Sequence, residues 1–174
     1  DADNLEEITY EGYGPGGTAI LVDAVTENRN RTAAEIRLAF SRSGGNLAEA
    51  GAVGWQFELR GVIAVDATGQ DADEIQLAAI EAGADDVDES GDGTTIEVIT
   101  DPGATEQVRQ ALTEAGFTVE SADVSKVPQN TVALDEKAAQ ATLNMLEKLD
   151  DLDDVSKVYS NAEFPDSVFE AAAG

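Results

Sequence analysis

The chain has 174 residues, 42% of them hydrophobic, with 36 acidic residues against 10 basic ones and a formal net charge of −26. It holds no cysteine and no histidine, which excludes disulfides, thiolate metal sites, a Ser–His nucleophile pair and the usual general base. No apolar run approaches the roughly 18 residues that span a bilayer, and so acidic a surface repels polyanions at long range, so any nucleic-acid contact must be local or supplied by a part absent from this chain.

Asp1 stands first in place of methionine, and no charged-then-apolar leader follows. The reading is a cytoplasmic fragment whose upstream part is absent. EITYEGY reads as a strand. In GYGPGG, Gly12, Gly14 and Gly17 match a dinucleotide-binding glycine pattern. That pattern needs a helix immediately afterwards. The β-branched run TAILVDAVT follows instead, so GYGPGG reads as a hairpin turn.

Residues 29–42 gather four arginines, Arg29, Arg31, Arg37 and Arg42. Thr32 and Glu35 form a T-x-x-E capping box, which predicts a helix from Ala33 to about Ser43. Ala33, Ile36, Ala39 and Phe40 are its expected buried stripe, and Gly44 ends it. Arg42 suits the last turn. Arg29 and Arg31 precede the predicted start, where the positive end of the helix dipole disfavours cations by about 0.3–1 kcal/mol each. An anion would account for them. Backbone N–H groups at a helix start, flanked by guanidiniums, form a phosphate cradle, with Asn28 and Asn30 adding donors and Arg37 in support. The other reading is that these arginines neutralise Glu27 and Glu35. In GAVGWQFEL, Trp55 and Phe57 sit two apart on one expected strand face, which predicts core packing; stacking on a base would need that face open.

The middle of the chain differs from its flanks. Residues 61–125 hold sixteen acids and one base, Arg109. GVIAVDATGQDADEIQLAAIEAGADDVDES aligns with TTIEVITDPGATEQVRQALTEAGFTVESAD, a repeat of about 33 residues that gives two β-α-β halves in tandem. Asp101 and Pro102 suit the N-cap and first position of the second helix, and Gly83 and Gly116 suit helix C-termini. DVDESGDGTTIE at 86–97 approaches a calcium loop through Asp86, Asp88, Ser90, Gly91 and Glu97. A strand-like exit makes a solvated acidic hairpin the expectation, with no metal site.

Beyond the middle, NTVALD reads as a strand. Asp135 caps a helix over Glu136–Leu149 whose apolar face is Ala138, Ala141, Leu143, Met145, Leu146 and Leu149. Asp150, Asp151, Asp153 and Asp154 read as acids solvating a loop, and VSKVYSNAEF as a strand. The tail from Pro165 is expected to be loosely held. The whole predicts an α+β protein of two domains. Residues 1–60 with 129–174 form one, and a ferredoxin-like βαββαβ domain, residues 61–128, is inserted into it.

The stretch EGYGPGGTAILVDAVTENRNRTAAEIRLAFSRSGGNLAEAGAVGWQFE closely resembles the YebC/PmpR family, as do ALTEAGF, VPQNTVALD and LEKLDDLDDVSKVYSNAEF. The resemblance implies a three-domain protein: a basic three-helix domain, absent here, then an α+β domain carrying a ferredoxin-like insert. It implies a non-enzymatic transcriptional regulator or ribosome-associated translation factor without a cofactor. Its partner would be DNA, or ribosomal or transfer RNA, bound with help from the absent basic domain. Asn28, Arg29, Asn30, Arg31 and Arg37 are the expected phosphate contacts. The acidic insert is an expected protein-facing or spacing module that discourages nonspecific polyanion binding. The alternative is a protein-interaction or small-ligand module without nucleic-acid contact.

Overall fold

The computed structural model describes residues 4–89, 93–165 and 167–168. Strand β1 (Glu6–Tyr13) pairs antiparallel with β2 (Ala19–Thr26), from Glu6 opposite Thr26 to Tyr13 opposite Ala19. GYGPGG connects them through a 3-10 turn at Pro15–Gly17, with Gly16 and Gly17 at positive φ. Helix α1 (Arg29–Arg42) follows, then β3 (Asn46–Ala48), a 3-10 turn at Gly54–Gln56 and β4 (Phe57–Asp66). Next come α2 (Ala72–Ala82), β5 (Asp86–Glu89), β6 (Thr95–Thr100), α3 (Thr105–Glu114) and β7 (Thr118–Pro128). The chain ends with β8 (Val132–Ala133), α4 (Glu136–Asp150), β9 (Val155–Ser160) and β10 (Ala162–Glu163). The fold is α+β.

The chain divides into two compact units, residues 1–58 with 128–174, and residues 59–127. In the first, the strand order is β3-β1-β2-β9, with every pairing antiparallel. AILVDAVT reads as an almost unbroken apolar run because β2 is central and covered on both faces. Ile20 and Val22 point one way, into a core with Ile36, Phe40, Met145 and Leu149 from α1 and α4. Ala19 and Leu21 point the other way, against Val53, Ala52, Phe57 and Tyr159. Phe40 packs so closely that a Cβ on Gly12 would lie 2.5 Å from its ring. Each large side chain buried here contributes about 1.5–3 kcal/mol of transfer free energy.

The second unit runs β4-α2-β5-β6-α3-β7 with strand order β5-β6-β4-β7. Ile63, Val65, Ile96 and Val98 meet Ile75, Ala79, Val108 and Leu112 of the two helices. Asp71 caps α2, accepting from Asp73 N–H at 3.0 Å, and Gly83 ends it at φ 110°.

Several local expectations are corrected. Asp101 caps nothing with its side chain: a 3-10 turn, Pro102–Ala104, intervenes, and α3 begins at Thr105, whose hydroxyl donates to Pro102 O. Asp135 does cap α4, but the stripe that α4 buries is Ala139, Thr142, Met145 and Leu149. Thr142 tolerates burial because its hydroxyl donates to Ala138 O at 2.8 Å. Within the tail from Pro165, Val168 is fully buried, and residues 166 and 169–174 lie outside the described residues. In the acidic hairpin β5 pairs antiparallel with β6; Ser90 and Gly91 of the calcium-like pattern lie outside the described residues.

Candidate nucleic-acid interface

Helix α1 begins four residues earlier than its capping box suggests. Asn28 is the N-cap, with its side-chain oxygen accepting from Arg31 N–H at 3.1 Å. Arg29 and Arg31 therefore lie inside the first turn, not ahead of it. Thr32, the predicted cap, is 1% exposed. Its hydroxyl lies 2.7 Å from the Asp154 carboxylate and 2.7 Å from the Thr26 hydroxyl, which in turn accepts from Asn28 N–H at 2.9 Å. Buried threonines linked this way hold the start of the helix against the end of β2, which is why tertiary contact displaced the local capping signal.

An anion does sit at this helix start, and it is internal. Asp154 Oδ2 accepts from Arg31 at 3.0 Å as well as from Thr32. The Thr32 hydrogen bond and then the Arg31 guanidinium hold the Asp154 carboxyl below the usual aspartate value. The expectation that the four acids at 150–154 merely solvate a loop is thus corrected for Asp154: it neutralises Arg31 and complements the helix dipole.

The five expected contact residues separate accordingly. The Asn28 side chain is engaged in the cap, and Arg31 is paired, although its side chain remains 45% exposed. Arg29 is 67% exposed and lies 3.8 Å from Glu6, itself exposed, a loose pair worth little in water. Asn30, Arg37 and Arg42 are exposed. Among the described residues, Arg37 and Arg42 have no carboxylate at ion-pairing distance. At about 100° per residue, Asn30, Arg37 and Ser41 share one flank of α1, whereas Arg31, Leu38 and Arg42 share another. The tail of α1 meets the sheet where Gly45 approaches β1: a Cβ there would lie 2.2 Å from Tyr13 O.

The expectation of an aromatic pair packed in the core holds for Phe57 and is corrected for Trp55. Phe57 opens β4 and is half-buried against Leu21 and Val53. Trp55 is not on a strand. It stands in the 3-10 turn before β4 and is 68% exposed. The turn is held by Glu11, 8% exposed, whose carboxylate accepts from the backbone N–H groups of Gly51 (2.7 Å), Val53 (3.0 Å) and Gly54. Glu11 and Asp154 are the residues sequence reasoning missed. Each acts 40 or more positions away in the chain (Glu11 on Gly51, Asp154 on Thr32), so no local pattern marks either.

A shallow depression of about 260 Å³ lies between α4 and β9, lined by Leu146, Glu147, Asp150, Val158 and Ser160. Its two carboxylates make it a poor place for a phosphate. Among the described residues no helix is long and apolar enough to cross a membrane.

A family model described as TACO1/YebC second and third domain matches residues 5–162. A probable transcriptional regulatory protein of Dictyoglomus turgidum is 49% identical over 167 residues, 95% of this chain and 66% of that protein. Another, from Pseudomonas paraeruginosa, is 51% identical over 168 residues, 97% of this chain and 67% of that protein. The crystal structure of a conserved hypothetical protein from Aquifex aeolicus superimposes with a TM-score of 0.80 at 40% identity, covering 93% of this chain and 66% of that one. The chain thus spans about two thirds of the length of the curated relatives it matches.

Proposed function

The chain belongs to the TACO1/YebC family, matching its second and third domains, and from that membership we propose that it is the α+β portion of a non-enzymatic, cytoplasmic regulator of gene expression that contacts nucleic-acid phosphates through α1. Its relatives are named as probable transcriptional regulatory proteins. The observation that carries the contact is the set of guanidiniums on α1 that folding leaves in solvent. Arg29 and Arg37 project from a chain with only ten basic residues and a net charge of −26. Cations placed at exposed positions of so acidic a protein form a local exception to its field. Asn30 adds a donor beside them. Arg31 is ordered by Asp154 and its guanidinium has further N–H groups to offer a phosphate. The strand order of the acidic unit, with two helices covering one core, supports reading that unit as ferredoxin-like.

The test is an Arg29→Glu/Arg37→Glu double variant, which spares the Asp154 network. Binding of the whole chain to duplex DNA and to ribosomal RNA is measured across a salt series. Each phosphate contact contributes about 0.9 to the slope of log K against log salt on B-DNA. The variant should flatten that slope by about 2 and keep its unfolding transition. Unchanged affinity and slope would place the contact elsewhere. A second reading, a protein-facing acidic unit, is favoured by Leu77 and Ile80, which are 59% and 60% exposed on α2. It predicts partner capture insensitive to salt.

A further inference from the structure

We propose that Trp55 is a stacking platform for an unpaired nucleobase, a second contact on the sheet face opposite α1. The inference takes its partner class from the nucleic-acid reading above and extends it to a site that reading does not use.

A side chain as large as tryptophan left 68% exposed needs a reason, because burying it is the largest apolar gain available to this loop. Its neighbour Val53 is fully buried in the same turn, so the chain brings the loop down onto the sheet and still holds the indole out. The loop is also built to stay in that position. Glu11 fastens it from below through three backbone N–H groups, and a Cβ on Gly54 would lie 2.9 Å from the Glu11 carboxylate. On its other side, Gln56 O accepts from Gln129 N–H at 2.8 Å, and the Gln56 side chain accepts from Asn161 at 3.2 Å. Trp55 therefore sits between two anchored neighbours, and little ordering entropy remains to be lost on binding.

The geometry also selects the guest. The indole N–H donates to Ala52 O at 3.1 Å, so the polar atom is already satisfied and the ring offers its π-face and apolar edges. Earlier in the same loop Ala50 and Gly51 are exposed and small, and the exposed Glu49 disfavours a phosphate beside it, so the contact is to a base and not to its backbone. With its N–H engaged, the exposed indole presents a flat apolar surface. It suits a flat, single aromatic guest. The same sheet face carries Tyr13, 36% exposed and two residues beyond Glu11 on β1, and Lys157, whose ammonium lies 5.2 Å from the Tyr159 ring centroid. The cation sits over Tyr159 and not over the indole, so this face offers separate aromatic rings and one cation, the group types by which single strands are held without base-edge readout. The side chains of Ile20 and Val22 face α1 and those of Ala19 and Leu21 face this loop, so the two contacts lie on opposite sides of one sheet.

Trp55 is the chain's sole tryptophan, so intrinsic fluorescence reads this site alone. The whole chain is titrated with oligoadenylate, with oligodeoxyadenylate and with an abasic oligodeoxynucleotide of equal length. The adenine-bearing strands should quench Trp55 and the abasic strand should not; a difference between the RNA and DNA arms identifies the preferred source. Trp55→Ala should weaken binding of the preferred strand about 5- to 150-fold, the range expected for one base–aromatic stack, with Trp55→Phe in between. Arg29→Glu/Arg37→Glu should weaken every strand, abasic included, yet leave the saturating quench intact, so failure of the helix contact and failure of the stack are told apart. Equal quenching by the abasic strand, or a Trp55→Ala variant that binds as tightly as the parent, overturns the proposal. So does an emission shift that depends on protein concentration alone, which would put a second copy of the chain on the indole.

Discussion

Replacing Glu11 by Gln tests whether one buried carboxylate organises the Trp55 loop. Glu11 accepts three backbone N–H groups, from Gly51, Val53 and Gly54, and is 8% exposed. Hydrogen bonds to a charged group are worth about 1.5–3 kcal/mol each, against about 0.5–1.5 for neutral ones. Glutamine keeps the shape and one carbonyl oxygen. That oxygen can still serve Val53 and Gly54, which share Oε1, though as neutral bonds. The other carboxylate oxygen becomes an NH₂ that faces the Gly51 N–H, donor against donor. One charged bond is lost and two are weakened, roughly 3–5 kcal/mol in all. Gly51 is exposed, so its amide can turn to water, and the expected loss settles near 2–4 kcal/mol. Urea unfolding followed by Trp55 emission measures it, because Trp55 belongs to the same unit as Glu11. Fluorescence anisotropy under native conditions should fall as the indole gains freedom. Unfolding free energy within about 0.5 kcal/mol of the parent, with anisotropy unchanged, would refute the reasoning.

Two further outcomes follow from the geometry. The Asp154 carboxyl is held below its unfolded value of 3.8 by Thr32 and Arg31, so its contribution to stability is fully present above that value and is lost as pH falls through the lower folded value. Asp154→Asn should remove that acid-side dependence and lower neutral-pH stability by about 1.5–3 kcal/mol, the worth of a charged hydrogen bond, read as unfolding free energy against pH. Gly45 and Gly44 should separate close approach from backbone strain. A Cβ on Gly45 would lie 2.2 Å from Tyr13 O and must push β3 away from β1, whereas Gly44, at φ 87°, has open space. Gly44→Ala should cost about 1 kcal/mol and Gly45→Ala well over twice that, compared by thermal or urea unfolding.

Much of the fold is legible in the chain. The β-branched run of β2, the repeated strand–helix–strand pattern of residues 61–125 and the Asp135 cap are written in the types and spacing of neighbouring residues, which is why periodicity and capping chemistry expose them. The chain divides into compact units at 58/59 and 127/128, and β4 and β7 run through these two points. The start of α1 was misplaced for an instructive reason. T-x-x-E is a sound local signal, yet Asn28 is as good a cap, and what decides between them is whether Thr32 can be buried. That depends on Thr26 and on Asp154, which lies 122 positions further along.

The same distinction governs the candidate site. Charge composition alone marked the arginine cluster, since counting needs no coordinates. Only the folded chain assigned Arg31 to Asp154, left Arg37 without a partner among the described residues, and moved Trp55 from an expected strand face into a turn open to solvent. Local hydrogen bonds and apolar spacing are written in adjacent residues and can be read there. Which carboxylate meets which guanidinium or amide is set when the sheet brings distant strands together, and a one-dimensional pattern carries no record of that meeting.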